Sequence, residues 1–269
     1  MRSIIIALAL VSLVACGDQS EEPFDNAGLG IEDQGEPSEN ELGQPGNTDE
    51  SVEAATEPLA VNELRIDVIQ DSGQALGVDY SQQQVTIERN DDVVITGEAA
   101  ASEIELFLAH LNMSLQHSIS NIQYYSLDFL ELDTNEFEGF EAQFLFSNDE
   151  TLTVAHVFAE EIAEEYAPVL QFNLVIEFED SDRLDYQFDR TADQAYVLQR
   201  DGSERTGDQA LAAVDVLLNR VPITSDRSII EIKRDLFEVM DVNIEEINSY
   251  ELEIAYETGQ QLTIQQQLR

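Results

Sequence analysis

The chain is short of most residues that announce a chemistry. Its 269 residues include one cysteine, no tryptophan, three histidines and a single lysine, Lys233. One cysteine excludes an intrachain disulfide and any cysteine cluster around a metal. Basic residues are scarce: 12 Lys and Arg against 56 Asp and Glu give a formal charge of −44. A field of that sign repels nucleic acid and anionic lipid headgroups, and it favours cations or a basic partner surface. Of six prolines only Pro168 and Pro222 lie beyond residue 58. No stretch after residue 16 approaches the roughly 20 apolar residues of a membrane-spanning helix. There is no His-Glu-x-x-His helix, no Gly-x-Ser-x-Gly elbow and no phosphate-binding glycine loop, so the familiar zinc hydrolase, serine hydrolase and nucleotide-binding signatures are missing.

What is present begins at the N-terminus. Arg2 gives a positive start, residues 4–14 are almost wholly apolar, and Leu13-Val14-Ala15 precedes Cys16. The apolar run is too short for a stable span and has the flanks of a signal peptide. The pattern resembles the signal of a bacterial lipoprotein, cut before the cysteine and acylated on it; the alternative is a secretory signal with an incidental cysteine. The resemblance implies a signal peptide over residues 1–15 and lipidation at Cys16. Attachment to a membrane would be stable, because a second acyl chain turns marginal binding into anchoring. Gly17, rather than Asp, follows Cys16, which implies an outer-membrane protein facing the periplasm in a Gram-negative producer.

Residues 17–58 hold thirteen acidic and no basic residues, with Pro23, Pro37, Pro45 and Pro58 and scattered glycines. Apolar residues are too sparse to offset the entropy of ordering, so this reads as a disordered tether. Its r.m.s. span is about 35 Å as a flexible coil, more with charge repulsion. The other reading is a segment that folds on a partner. Residues 59–168 carry −20 and residues 169–269 carry −12. Acid excess with so little lysine resembles proteins of salt-loving bacteria; specific cation sequestration is the sharper alternative.

The remainder carries an internal duplication with an offset of 110. Leu64, Ile66 and Val68 fall on Leu174, Ile176 and Phe178; Thr96-Gly97-Glu98 falls on Thr206-Gly207-Asp208. Ile104, Phe107, Leu108 and Leu111 fall on Val214, Leu217, Leu218 and Val221, spaced as one helix face. Each unit reads as four strands, two helices and a closing hairpin. In the first, strands are expected at 64–69, 76–80, 85–89, 93–95, 140–146 and 151–158, with turns at Asp71-Ser72-Gly73 and Asn90-Asp91-Asp92. The closing hairpin of the second is expected at 250–256 and 261–268, and a shorter second helix near 126–132 and 235–242. The fold class expected is α+β: two tandem repeats of antiparallel β-hairpins with a packed amphipathic helix, over residues 59–168 and 169–269. Each is long enough to bury its own core.

An N-terminal anchor, paired hairpins, the acid-led helix Asp208…Val214-Asp215-Val216-Leu217-Leu218, the element Asp235-Leu236-Phe237…Met240-Asp241-Val242 and a final hairpin together resemble the uncharacterised envelope family called domain of unknown function 4340. The second unit fits better. The chain departs from that family in lacking a Trp before the helix and in carrying Met240-Asp241-Val242-Asn243 where a Gly-Leu and a Pro are usual. The resemblance implies a tandem α+β head with a non-enzymatic envelope role, sometimes beside transporters. It brings no catalytic residues.

Candidate chemistry is thin. His110, His117 and His156 have Arg220, Arg227 and Gln266 at the offset positions, so no metal site repeats; they read as surface or interface histidines. Asp133-Thr134-Asn135-Glu136 and Asp180-Ser181-Asp182…Asp185 begin like calcium loops but lack the required glycine and closing Glu. Glu160-Glu161 and Glu164-Glu165 repel one another at i, i+4 on a helix and could grip a cation. The expectation is an envelope lipoprotein acting as a non-enzymatic binding or adaptor module, possessing no catalytic, cofactor or metal residues. Its partners would be the membrane through Cys16 and an unidentified envelope protein. The alternatives are a carboxylate- or metal-dependent periplasmic enzyme and a cation-binding acidic protein.

Overall fold

A computed structural model of the chain describes residues 60–70, 74–89, 93–132, 137–157 and 168–268. Cys16, the acidic segment 17–58, the turns at 71–73 and 90–92, the calcium-like run 133–136 and the acidic pairs of 160–165 lie outside them. The first half contributes β1 (Val61–Gln70), β2 (Ala75–Tyr80), β3 (Val85–Arg89), β4 (Val93–Thr96), α1 (Gly97–Leu111), α2 (Ile119–Phe129), β5 (Phe137–Phe146) and β6 (Thr151–Val157). The second contributes β7 (Val169–Phe178), β8 (Arg183–Asp189), β9 (Gln194–Leu198), β10 (Glu204–Thr206), α3 (Asp208–Arg220), α4 (Ile229–Met240), a 3-10 turn at Ile244–Glu246, β11 (Ile247–Tyr256) and β12 (Gln261–Gln267). Antiparallel strands with four helices make this an α+β structure.

All twelve strands share one sheet in the order β10-β9-β8-β7-β11-β12-β6-β5-β1-β2-β3-β4. Outward from the middle, each half runs through the same sequence of strands. The middle is the antiparallel pair β6–β12, which sets Val154 opposite Ile264, 110 positions apart. Ser118 and Ser228, also 110 apart, form an isolated antiparallel bridge. Around it Ser120 N donates to Ser225 O and Ile230 N to Leu115 O, both at 2.8 Å, and these two bonds exchange under the same offset. Two domains standing side by side would each leave an edge strand bare. Here those edges pair with each other, so the ladder continues without a break.

Alternation decides the two faces. In β1, Leu64, Ile66 and Val68 are buried while Arg65 and Asp67 point the other way. Register carries that face across the sheet: Ile66 lies opposite Ala142, Ala142 opposite Val154, Val154 opposite Ile264 and Ile264 opposite Leu252. Helices α1 to α4 add Ile104, Phe107, Ile119, Ile122, Val214, Leu217, Ile229 and Ile232 to the same core. Leu108 and Leu218, expected on the apolar helix face, are only half-buried.

The second helices begin about two turns earlier than the sequence suggested. The Ser118 hydroxyl accepts from Asn121 N and that of Ser228 from Glu231 N, so serine caps start both helices. Polar residues at buried positions, Gln123, Ser126 and Lys233, hide the apolar period there. Left-handed backbone recurs at matching places: Gly97 and Gly207 enter α1 and α3, Glu131 and Asp241 follow α2 and α4, and Asp149 and Gly259 turn the closing hairpins. Among these, the two helix entries both use glycine, the residue that takes positive φ without strain.

Candidate functional site

The helices cover one face of the sheet, and no described element covers the other. That open face is polar, with Gln143, Thr153, Asn173, Gln187, Thr263 and Gln265 among its side chains. A concavity of about 730 Å³ lies in the second half over β7, β8, β9, β11 and β12. A smaller one of about 410 Å³ lies at the related place in the first half, over β1, β2, β5 and β6. Volumes of a few hundred Å³ are those of small-ligand sites.

The larger concavity is lined by carboxamides, carboxylates and the aromatic residues Phe172, Phe188 and Tyr196, and none of the described residues lining it is Lys or Arg. Two of its three acids, Asp189 and Glu253, are already engaged. Asp189 Oδ1 accepts from Thr191 N at 2.8 Å, Thr191 Oγ1 at 2.6 Å and Ala192 N at 3.1 Å, and Oδ2 accepts from Gln171 Nε2 at 3.0 Å. The Thr191 hydroxyl and the backbone donors hold this carboxyl below its ordinary range. Glu253 accepts from Asn173 Nδ2 at 3.3 Å. The other end of that amide, Asn173 Oδ1, is buried with no hydrogen-bond partner among the described residues. Beside it, burial and the Glu253 charge raise the Glu251 carboxyl.

The sequence-derived candidates are placed as follows. Cys16, the lipidation candidate, is outside the described residues. His110 and His117 flank the Tyr125 ring at 5.5 Å and 6.3 Å between centroids, near the serine bridge. His156 is apart from them and buried, its Nδ1 3.0 Å from Gln123 Oε1, so it is not the surface histidine that the sequence suggested. The offset positions of that pair are Gln266 and Lys233, and they too meet: Lys233 Nζ donates to Gln266 Oε1 at 3.0 Å. Lys233 is 2 % exposed and sits over the Tyr250 ring; burial lowers its ammonium to about 8. The Asp180-Ser181-Asp182 turn already has a cation, because Arg200 bridges Asp180, Asp182 and Glu246 and stacks on Phe178. Asp185, buried nearby, pairs with Arg183 at 2.9 Å.

No group of three or more His, Cys, Asp or Glu among the described residues is placed to hold a metal ion. No described helix is long and apolar enough to cross a membrane. The open-face concavities were not legible as a site in sequence; the only signal was the run of Gln and Asn at the polar positions of β7, β8, β9 and β12.

A family model described as YusW-like protein matches residues 170–258, which span β7 to the start of the last hairpin turn. No curated protein and no solved structure matches the chain.

Proposed function

We propose that this is a lipid-anchored envelope protein whose α+β head acts as a non-enzymatic binding module through the open face of its sheet. The carrying observation is the asymmetry of that sheet: four helices pack on one face, and the polar opposite face contains both concavities. Cys16 supplies the anchor and residues 17–58 the acidic spacer, so the head works at a distance from the bilayer, on its periplasmic side. The two halves are copies of one unit fused into an internal dimer. This reading is supported by the strand order, the Val154–Ile264 and Ser118–Ser228 pairings, and the burial pattern, which is identical position by position over 97–117 and 207–227.

Amine-directed crosslinkers are of little use, since the only lysine is buried. A photo-crosslinking residue at Gln265, on the open face, should acquire an adduct in cells, whereas one at the exposed Val216 on α3 should not. Adducts from Val216 alone would refute the reading. Cys16→Ser should abolish acyl labelling; labelling that persists removes the anchor.

A further inference from the structure

The two concavities differ in chemistry. The smaller one includes Arg65, ion-paired with Asp67 at 2.7 Å. Where the first half has Gly77 and Thr86, the second has Gln187 and Tyr196, which line the larger. Five carboxamides, Gln171, Asn173, Gln187, Gln194 and Gln261, converge there with the Tyr196 ring. A carboxamide donates and accepts through one planar group, which matches a hydroxyl that does both. The absence of Lys and Arg from the described lining leaves nothing to receive a phosphate or carboxylate. Of the three acids on the lining, Asp189, Asp193 and Glu253, Asp189 is saturated by four donors and Glu253 accepts from Asn173, so two of the three carboxylates are already engaged within the fold. The site's unmet demand is for a donor, at the buried Asn173 Oδ1. The negative face of an aromatic ring suits polarised C–H groups such as those on one side of a pyranose.

We propose that the larger concavity binds an uncharged, hydroxyl-rich ligand, a neutral saccharide, with Asn173 and the flanking glutamines pairing its hydroxyls and Tyr196 stacking on its ring. This rests on the reading of the open face as the binding surface and names what that surface takes. About 730 Å³ accommodates a few sugar rings, and the open mouth lets a longer glycan run on along the polar face.

The test is titration of the full chain, in a detergent without a sugar headgroup, with tetra-N-acetylchitotetraose, maltotetraose and spermidine, followed by calorimetry and saturation-transfer NMR. Binding of either tetrasaccharide that is unchanged by added salt is the expected result, and the preferred one tells an N-acetylated source from a plain glucan. Tyr196→Ala and Gln187→Gly should each weaken it at least tenfold with the thermal midpoint unchanged; if Tyr196→Ala does not fold, Gln261→Ala is read in its place. No saccharide binding at about 10 mM, weaker than any specific site worth the name, overturns the proposal. So does saccharide binding indifferent to these variants, or spermidine binding alone that salt abolishes. A failed titration with Gln265 adducts intact removes the saccharide and leaves the binding module; loss of both removes both.

Discussion

At the residue scale, two positions carry disproportionate consequences. Gly77 lies opposite Asp67 where β2 pairs with β1, and a Cβ there would lie 2.0 Å from the Ile66 carbonyl oxygen. Backbone cannot yield as a side-chain tip can, so Gly77→Ala must push the two strands apart. A cost of about 1–3 kcal/mol is expected, as for other overpacked positions, read as a lower urea midpoint; an unchanged midpoint would mean the strands separate freely. The second position is Lys233. Its folded-state value of about 8 lies below its ordinary 10.5, so the unfolded chain binds the proton more tightly. Stability should therefore rise as pH climbs from about 8 towards 10. Below 8 both states are protonated and the full penalty, up to about 3 kcal/mol, persists. Above 10 the wholly buried Tyr250 hydroxyl, whose ionisation is pushed up by burial, works the other way, because the unfolded tyrosine loses its proton first. Urea midpoints between pH 8 and 10 should climb for the natural chain and stay flat for Lys233→Met. A flat profile in both would show that the amine reaches water.

At the element scale, the serine caps repay attention. Ser118 and Ser228 each cap a helix through the side chain while their backbones form the bridge between halves. Replacing either by Ala should cost about 1 kcal/mol. The two sites adjoin, so the double variant should depart from additivity by more than the few tenths of a kcal/mol seen for distant pairs; strict additivity would argue that the halves are energetically independent. The same elements show where sequence reading succeeds and where it slips. The strand positions were legible because one face is dry and the other wet, which forces alternation. The first helices were legible through Ile104, Phe107 and Leu111, and through Val214, Leu217 and Val221. The second helices were placed too late, because Gln123 and Lys233 occupy core positions. Their partners, His156 and Gln266, lie 33 residues away, beyond any local window.

At the scale of the whole molecule, the governing fact is a charge of −44 on a structure whose halves meet in one sheet. Self-repulsion should lower stability at low ionic strength. Screening shortens from about 30 Å at 0.01 M salt to about 3 Å at 1 M, so the thermal midpoint of the intact chain should rise with salt. Sodium and potassium chloride should act alike. A midpoint indifferent to salt would show that the acids are too dispersed to be felt, and a micromolar response to calcium would reveal a specific cation site instead. Because β6 and β12 join the halves, the transition should be single and shared by both. Two resolved transitions would contradict a common core.

The sequence by itself determined the α+β class, the alternation that sets the two faces of β1, and the acid excess. Each is written locally, in alternation, helical period or composition. Only the tertiary structure decided that the halves join edge to edge, since the ladder between β6 and β12 is built from backbone groups that every residue possesses. It also decided which polar residues go inside, because Gln123, His156, Lys233 and Gln266 are tolerable in a core only when paired across the fold. The concavity on the open face belongs to the same category. Its carboxamides are scattered over several strands, and only the curvature and register of the sheet bring them to one place.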